Sequence, residues 1–340
     1  MKKFTLLFIS ILIIPISLSS QSCLQDGILF DSQAQVDSFQ INYPGCVDIE
    51  GDVVIHGHAL SNLNGLSVLT SIGGDFNFAC YGTALTDLTG LDALTSIGGE
   101  FLITGVCITS LTGLNSLTTI GGDFRIMYQG SLTNLSGLES LTSIGGNIVI
   151  DGADLISLTG LNSLTSLGGQ LGLAGNHYIK SLSGLETLTS VGGGIVVYAC
   201  DSLASLSTLE NISTIGGHLA IGWNSALTSL FGLDNIEPST IDSLTVYNNN
   251  NLSTCEVQSI CDYLVSPSGT IIIQDNAIGC NSQEEVEDAC AFASIDKTKP
   301  LHNLTIHPNP LTTFTTIKYE LQREEQVTIT IYNHLGKYIE

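Results

Sequence analysis

Basic residues are scarce. Against 32 Asp and Glu the chain carries only 9 Lys and Arg, for a formal net charge of −23 at pH 7. Between Gln21 and Ile295 the basic residues are Arg125 and Lys180 alone. Such a surface repels phosphate backbones, so nucleic acid is excluded as a partner and anionic lipid is disfavoured; membrane contact is expected only during export. After Leu18 no apolar run is long enough to cross a bilayer. No Cys-x-x-Cys pair and no Cys/His cluster with zinc spacing occurs, so no metal or cofactor is expected. A nucleophile elbow, His-Glu-x-x-His, a P-loop and paired carboxylates are also lacking, and the chain is expected not to be an enzyme.

What is present begins with an export signature. Met1, Lys2 and Lys3 precede an apolar stretch from Phe4 to Leu18, followed by Ser19, Ser20 and Ser22. A charged start, a short apolar run and small residues read as a secretory signal peptide over 1–20, with cleavage before Gln21. Lipidation at Cys23 is the rival, but Ser20-Gln21-Ser22 lacks the usual small apolar residues. In an exported chain the nine cysteines imply disulfides. They group as Cys23 with Cys46, Cys80 with Cys107, and a set of Cys255, Cys261, Cys280 and Cys290 whose connectivity stays open; Cys200 is left over.

Internal repetition organises the rest. Gly-Gly pairs fall at 73–74, 98–99, 121–122, 145–146, 168–169, 192–193 and 216–217, every 23 to 25 residues, and Gly51 starts the series without a glycine partner. After each pair two apolar columns alternate, as in Phe76/Phe78, Phe124/Ile126 and Leu219/Ile221, which is the pattern of a half-buried strand. The second half of each unit switches to a period of three, as in Leu85, Leu88, Leu91, Leu94 and Ile97. That period does not suit a flat strand and predicts a chain bending around a core. One unit cannot bury its own apolar face, so the units must stack. The expected fold is mainly β: a right-handed leucine-rich β-solenoid of about eight to ten turns of roughly 24 residues, with disulfide-bonded caps, followed by a partial β-sandwich. The Gly-Gly column is expected to provide positive φ and close backbone approach at a corner. The glycine in the middle of each unit, such as Gly90 or Gly113, is expected to do the same, although Thr208 replaces it once.

The ends read as caps. Residues 21–50 contain Ser32, which can start a short helix with Val36 and Phe39 facing inward. The repeats occupy 51–248. Residues 249–294 form a cysteine-rich cap with a helix near Val257 to Leu264 and a strand at Thr270 to Gln274. The recurring Leu-Thr-Ser-Ile-Gly-Gly and Leu-x-x-Leu-x-Gly-Leu resemble the receptor L domain across residues 47–290. That leucine-rich right-handed solenoid occurs in growth-factor and insulin receptor ectodomains, in fungal wall proteins and in secreted Bacteroidota proteins. The resemblance implies the fold and no ligand residues, because the outward positions match no motif. After a linker at 295–302, residues 303–340 contain Pro308-Asn309-Pro310, a strand at Ile317 to Leu321 and a segment from Val327 to Lys337. They resemble the front half of a type IX secretion C-terminal sorting domain, a sandwich whose later strands are missing at Glu340, so the expectation is either a fragment of a longer protein or a defective signal. The resemblance implies the type IX machinery as an export partner and a secreted or outer-membrane-surface location reached through the periplasm.

The remaining chemistry is sparse. His56 and His58 stand two apart on a strand, while His177 and His218 lie in loops or at rims. The catalytic alternative is a solenoid enzyme acting on polysaccharide. A lyase would need its base and charge neutraliser together, yet Arg125 and Lys180 stand two repeats apart. A hydrolase would need facing carboxylates, and Asp52, Asp75, Glu100 and Asp123 instead line one edge. The Thr-Ser pairs, such as Thr95-Ser96 and Thr142-Ser143, predict hydrogen-bonded ladders rather than a flat ice-binding lattice. The outward strand positions are less polar than solvent demands. They define a candidate partner face at Arg125, Met127, Asp151, Val196 and Tyr198, for an unidentified protein or glycan.

Overall fold

A computed structural model describes residues 21–57, 60–80 and 85–293, together with strands 302–307, 316–320, 331–332 and 338–339. The signal peptide, His58, most of the linker and Pro308–Pro310 lie outside the described residues. The chain divides into two units, one ending at Cys290 and the other starting at Ala291.

In the first unit each turn up to Gly217–Gly222 contributes one strand to each of two parallel sheets, and the last two turns add Ile241–Tyr247 and Ile271–Gln274 to the larger sheet alone. An eleven-stranded sheet contains Val53–His56, Phe76–Cys80, Phe101–Gly105, Phe124–Met127, Ile148–Asp151, Leu171–Ala174, Ile195–Tyr198 and Gly217–Gly222 among its strands. A nine-stranded sheet of mostly two-residue strands runs through Ser96–Ile97, Thr119–Ile120 and Ser143–Ile144. Up to Gly217–Gly222 neighbours in each sheet are alternate strands of the chain, as stacked coils with two strands per turn require; beyond it Ile241–Tyr247 and Ile271–Gln274 pair consecutively. Register repeats turn after turn: Phe124 pairs Phe101 on one side and Ile148 on the other, and Ile126 pairs Ile103 and Ile150. The protein is therefore a mainly β solenoid.

The period-three half has a definite cause. Successive leucines close i to i+3 turns: Leu91 N–H donates to Leu88 O at 3.1 Å, and Leu94 N–H to Leu91 O at 2.9 Å. Each bend delivers one leucine inward, and Leu88, Leu91 and Leu94 are all buried. The run then ends in a strand, because Ser96 and Ile97 pair with the turns above and below. The sequence pattern alone announced only the bends, so the narrow sheet is an addition.

The two glycine columns divide the work expected of both. The Gly-Gly residues do not take positive φ. They are glycine because a Cβ at Gly98 would collide with the carbonyl of Gly73, and one at Gly121 with that of Gly98. Gly65 sits in a 3-10 turn over Asn64–Leu66, whereas the middle glycines from Gly90 on are the left-handed ones, with φ of 110° at Gly90 and 107° at Gly113. An acidic or amide side chain two residues on accepts each N–H: Asp92 from Gly90 at 2.9 Å, Glu139 from Gly137 at 2.9 Å, Asp234 from Gly232 at 2.9 Å. Part of the acidity is thus structural. At Thr208 the corner is a 3-10 turn over Ser207–Leu209, which needs no positive φ.

Both ends are closed. Helix α1, Gln33–Asn42, buries Val36 and Phe39 over the first turns. The Gln35 side chain accepts the Asp31 and Ser32 N–H groups at 2.8 and 3.1 Å. Helices α2, Gln258–Val265, and α3, Gln283–Ala293, belong to the far end. Disulfides join Cys23–Cys46, Cys80–Cys107, Cys255–Cys280 and Cys261–Cys290, with Cα separations of 5.5 to 5.8 Å. Cys23–Cys46, Cys255–Cys280 and Cys261–Cys290 pin the end segments, where an open sheet edge would otherwise recruit other strands, and Cys80–Cys107 ties two interior turns. In the second unit His302–His307 pairs antiparallel with Thr316–Glu320, and Ile331–Tyr332 with Tyr338–Ile339.

Candidate binding face

Alternation along each wide-sheet strand turns every second side chain outward. Two outward columns result, and the five candidate residues fall on them. Arg125 stands between Leu102 and Val149, and Val196 between Gly172 and Ala220. Met127 stands between Thr104 and Asp151, and Tyr198 between Ala174 and Gly222. Arg125, Met127 and Asp151 are therefore contiguous. Val196 and Tyr198 lie two turns beyond Asp151, across Gly172 and Ala174.

Arg125 is committed to its neighbour. Its Nη1 lies 3.2 Å from Glu100 Oε1, while its Nε is buried without a partner. With Met127, Leu102, Thr104, Val106 and Tyr128 it lines a cavity of about 380 Å³. The acidic column at the strand starts is committed too. Asp52 Oδ1 accepts the Asp75 N–H at 2.8 Å, and Asp75 Oδ1 accepts the Glu100 N–H at 2.7 Å. Asp123 Oδ1 accepts the Asn147 N–H at 2.7 Å. These carboxylates cap the next turn's backbone. Among the described residues no group of three or more His, Cys, Asp or Glu is arranged to hold a metal.

Two further columns escaped the sequence. Immediately after each of the last seven wide-sheet strands the backbone turns left-handed: Tyr128, Gly152, Gly175, Ala199, Trp223, Asn248 and Asp275 have φ between 50° and 62°. The residue after each of these points inward. There Asn176, Asn224 and Asn249 are fully buried and build a polar ladder through the core. Asn249 Oδ1 accepts the Asn224 N–H at 2.9 Å, Asn224 Oδ1 the Cys200 N–H at 3.0 Å, and Asn176 Oδ1 the Ala153 N–H at 3.1 Å. Their amide nitrogens donate to strand-end carbonyls, as Asn176 does to Ile150 at 2.8 Å. Buried backbone groups at a corner need such partners. Gln129 continues the column, buried, with both side-chain polar atoms unpaired. The signal was available: Asn recurs five residues after the first inward strand residue of its turn. Cys200 replaces one Asn, and burial pushes its thiol up to about 12, so it is a neutral, protected group.

The left-handed column carries two well-exposed aromatics. Tyr128 is 65% and Trp223 55% exposed. Tyr198 and Tyr247 belong to turns on either side of Gly222, yet their ring centroids approach to 5.9 Å. Glycine permits this, since a Cβ at Gly222 would sit 2.9 Å from Tyr198 and 3.0 Å from Tyr247. Trp223 meets Tyr247 edge-on at 6.2 Å. Burial raises the Tyr198 phenol above its ordinary value, and Tyr247 adds to the shift.

No family model, no curated protein and no solved structure matches the chain.

Proposed function

We propose that the chain is an exported, non-catalytic binding or envelope-structural module that meets its partner through the outward face of the eleven-stranded sheet. The observation that carries this reading is the gathering there of exposed aromatic and apolar side chains: Val106, Tyr128, Trp223 and Ile272, beside half-buried Met127 and Tyr198. Isolated exposed apolar residues are ordinary, whereas clusters of them, here Val106, Met127 and Tyr128 in one and Tyr198 and Trp223 in another, are a mark of recognition. The four disulfides suggest an extracellular or periplasmic protein. Among the described residues no helix is long and apolar enough to cross a membrane.

In its finer form the proposal is a right-handed solenoid with a turn of roughly 24 residues, similar to the receptor L domain. Its C-terminal segment acts as a type IX sorting signal, and the antiparallel strand pairs of that segment are compatible with a sandwich. The type IX machinery is then a partner during export, and a protein or glycan is the partner outside the cell. Fractionation of producing cells tests export, and retention in the cytoplasm would remove that half of the proposal. Binding to envelope polysaccharides and surface proteins tests the rest. Arg125→Glu and Met127→Lys should weaken capture, whereas Ser143→Lys on the narrow sheet should not; the reverse pattern would place the partner face elsewhere. Polysaccharide cleavage lost in Arg125→Ala or Asp151→Asn would replace the module with a lyase or hydrolase.

A further inference from the structure

Tyr128 and Trp223 share one column, and the three turns between them contribute only Gly152, Gly175 and Ala199. At about 4.8 Å per turn the two rings are separated by about 19 Å along the solenoid axis. Small residues between two bulky ones make a trough. Asp151 and Ala174 border it on the sheet side. On the other side stand Asp154 and the exposed His177–Asp201 pair, joined at 2.6 Å. Beside that pair, Ser225 Oγ donates to Asp201 at 3.3 Å.

We propose that this trough binds a neutral glycan chain lying along the solenoid axis, with Tyr128 at one end and Trp223, Tyr198 and Tyr247 at the other; the inference rests on the binding-module reading. Three observations converge on that chemistry. First, the tyrosine rings at both ends lie over glycines. A Cβ at Gly152 would be 3.0 Å from the Tyr128 ring, as one at Gly222 would be from Tyr247. A ring laid on a glycine while well exposed offers its face, and the apolar C–H face of a sugar is the complementary surface. Second, the flanks supply acceptors and hydroxyls in a row, which suit sugar hydroxyl groups. Cations are few there: the solenoid's basic residues are Arg125, already paired, and Lys180. A polyanionic chain would be repelled, so the class is neutral. Third, Trp223 holds a left-handed backbone at φ 61°. Bulky residues avoid that region, which the adjacent turns fill with Ala199 and Asn248 and the turns two and three away with Gly175 and Gly152. Stacking coils does not require an indole there.

Trp223 is the only tryptophan of the chain, so its emission reports on this site alone. The purified full chain is titrated with soluble neutral β-glucan, mannan and galactan oligosaccharides, with polygalacturonate as the anionic comparison. A saturable change of tryptophan emission with a neutral oligosaccharide is expected, and none with polygalacturonate. Binding followed by calorimetry should weaken at least tenfold in Trp223→Gly and Tyr128→Ala, and Trp223→Phe should recover part of it. Trp223→Gly should melt no lower than the parent, since glycine accepts that φ; a loss of binding with folding intact separates recognition from scaffolding. Neutral-glycan binding that survives both Trp223→Gly and Tyr128→Ala would overturn the trough and leave a binding module. Failure of every neutral glycan, with a protein or polyanion captured through the same residues, would overturn the glycan class alone. Failure of every neutral glycan, with no ligand responding to any wide-sheet substitution, would sink both readings.

Discussion

The outer faces of the two sheets are built from the same turns and treat their side chains differently. On the narrow side each turn repeats the last. Thr95 Oγ1 donates to Thr70 O, Thr118 to Thr95 O and Thr142 to Thr118 O, at 2.9 to 3.1 Å. The adjoining glycines touch the carbonyl of the turn before. The threonine hydroxyls there serve stacking, and the shallow groove along Ser71, Ser96 and Thr119 is a by-product of small residues packed close. On the wide side the outward residues change from turn to turn: Leu102, Arg125, Val149, Gly172, Val196 and Ala220 succeed one another in one column. Longer strands supply enough backbone hydrogen bonds that side chains there are released from structural duty. Invariance marks the scaffold, and variety marks the surface where recognition can be written.

That contrast can be broken by substitution. The largest effect should come from the core that both sheets share. Leu138→Asp puts an unpaired carboxylate among buried leucines and should cost about 4 kcal/mol or more. In a quasi-one-dimensional array it should also uncouple the flanking turns, which hydrogen exchange would reveal as two separate protection levels. Uniform protection with unchanged stability would contradict the stacking account.

Next comes the narrow face. Gly121→Ala drives a methyl group against the Gly98 carbonyl and should cost about 2 kcal/mol in urea unfolding. A neutral outcome would mean that close approach does not set the column.

Cys200 tests the buried ladder beneath the wide face. Its folded pKa, about 12, stands above the ordinary 9.0 of an unfolded thiol. A raised pKa means that the native state holds the proton longer. Its contribution to stability is therefore complete below pH 9.0 and should fall as pH rises toward about 12. Cys200→Ala should flatten that part of the stability–pH curve. In the native protein, alkylation at neutral pH should reach Cys200 only after denaturant is added.

The smallest effects belong to the wide face. Arg125→Ala removes a half-exposed ion pair, and its stability should stay within about 0.5 kcal/mol of the parent. Asp151→Asn and Lys180→Ala should behave alike. A large loss in any of them would give the variable face a structural role and erase the contrast.

The repeat, the inward columns, the helix over Val36 and Phe39 and the grouping of cysteines were legible in the sequence. Each depends on residues close together in the chain or on a fixed period. Period two reports a strand, and burial at every third residue reports a bend, because backbone geometry alone converts spacing into direction. The narrow sheet was hidden because two residues are too few to show alternation; its strands exist only because neighbouring turns pair with them. The roles of the glycines were hidden as well. Glycine answers both to positive φ and to close approach, and only the position of the next coil shows which applies. The placement of the candidate residues was legible in part: Arg125, Met127, Asp151, Val196 and Tyr198 could be assigned to outward columns by parity. Their division into two groups, the left-handed column carrying Tyr128 and Trp223, and the convergence of Tyr198 and Tyr247 over Gly222 depend on which residues of different turns become neighbours. Sequence by itself determined which side chains face in and which face out. The stacking register, set by hydrogen bonds between residues 23 to 25 positions apart, decided which outward side chains meet.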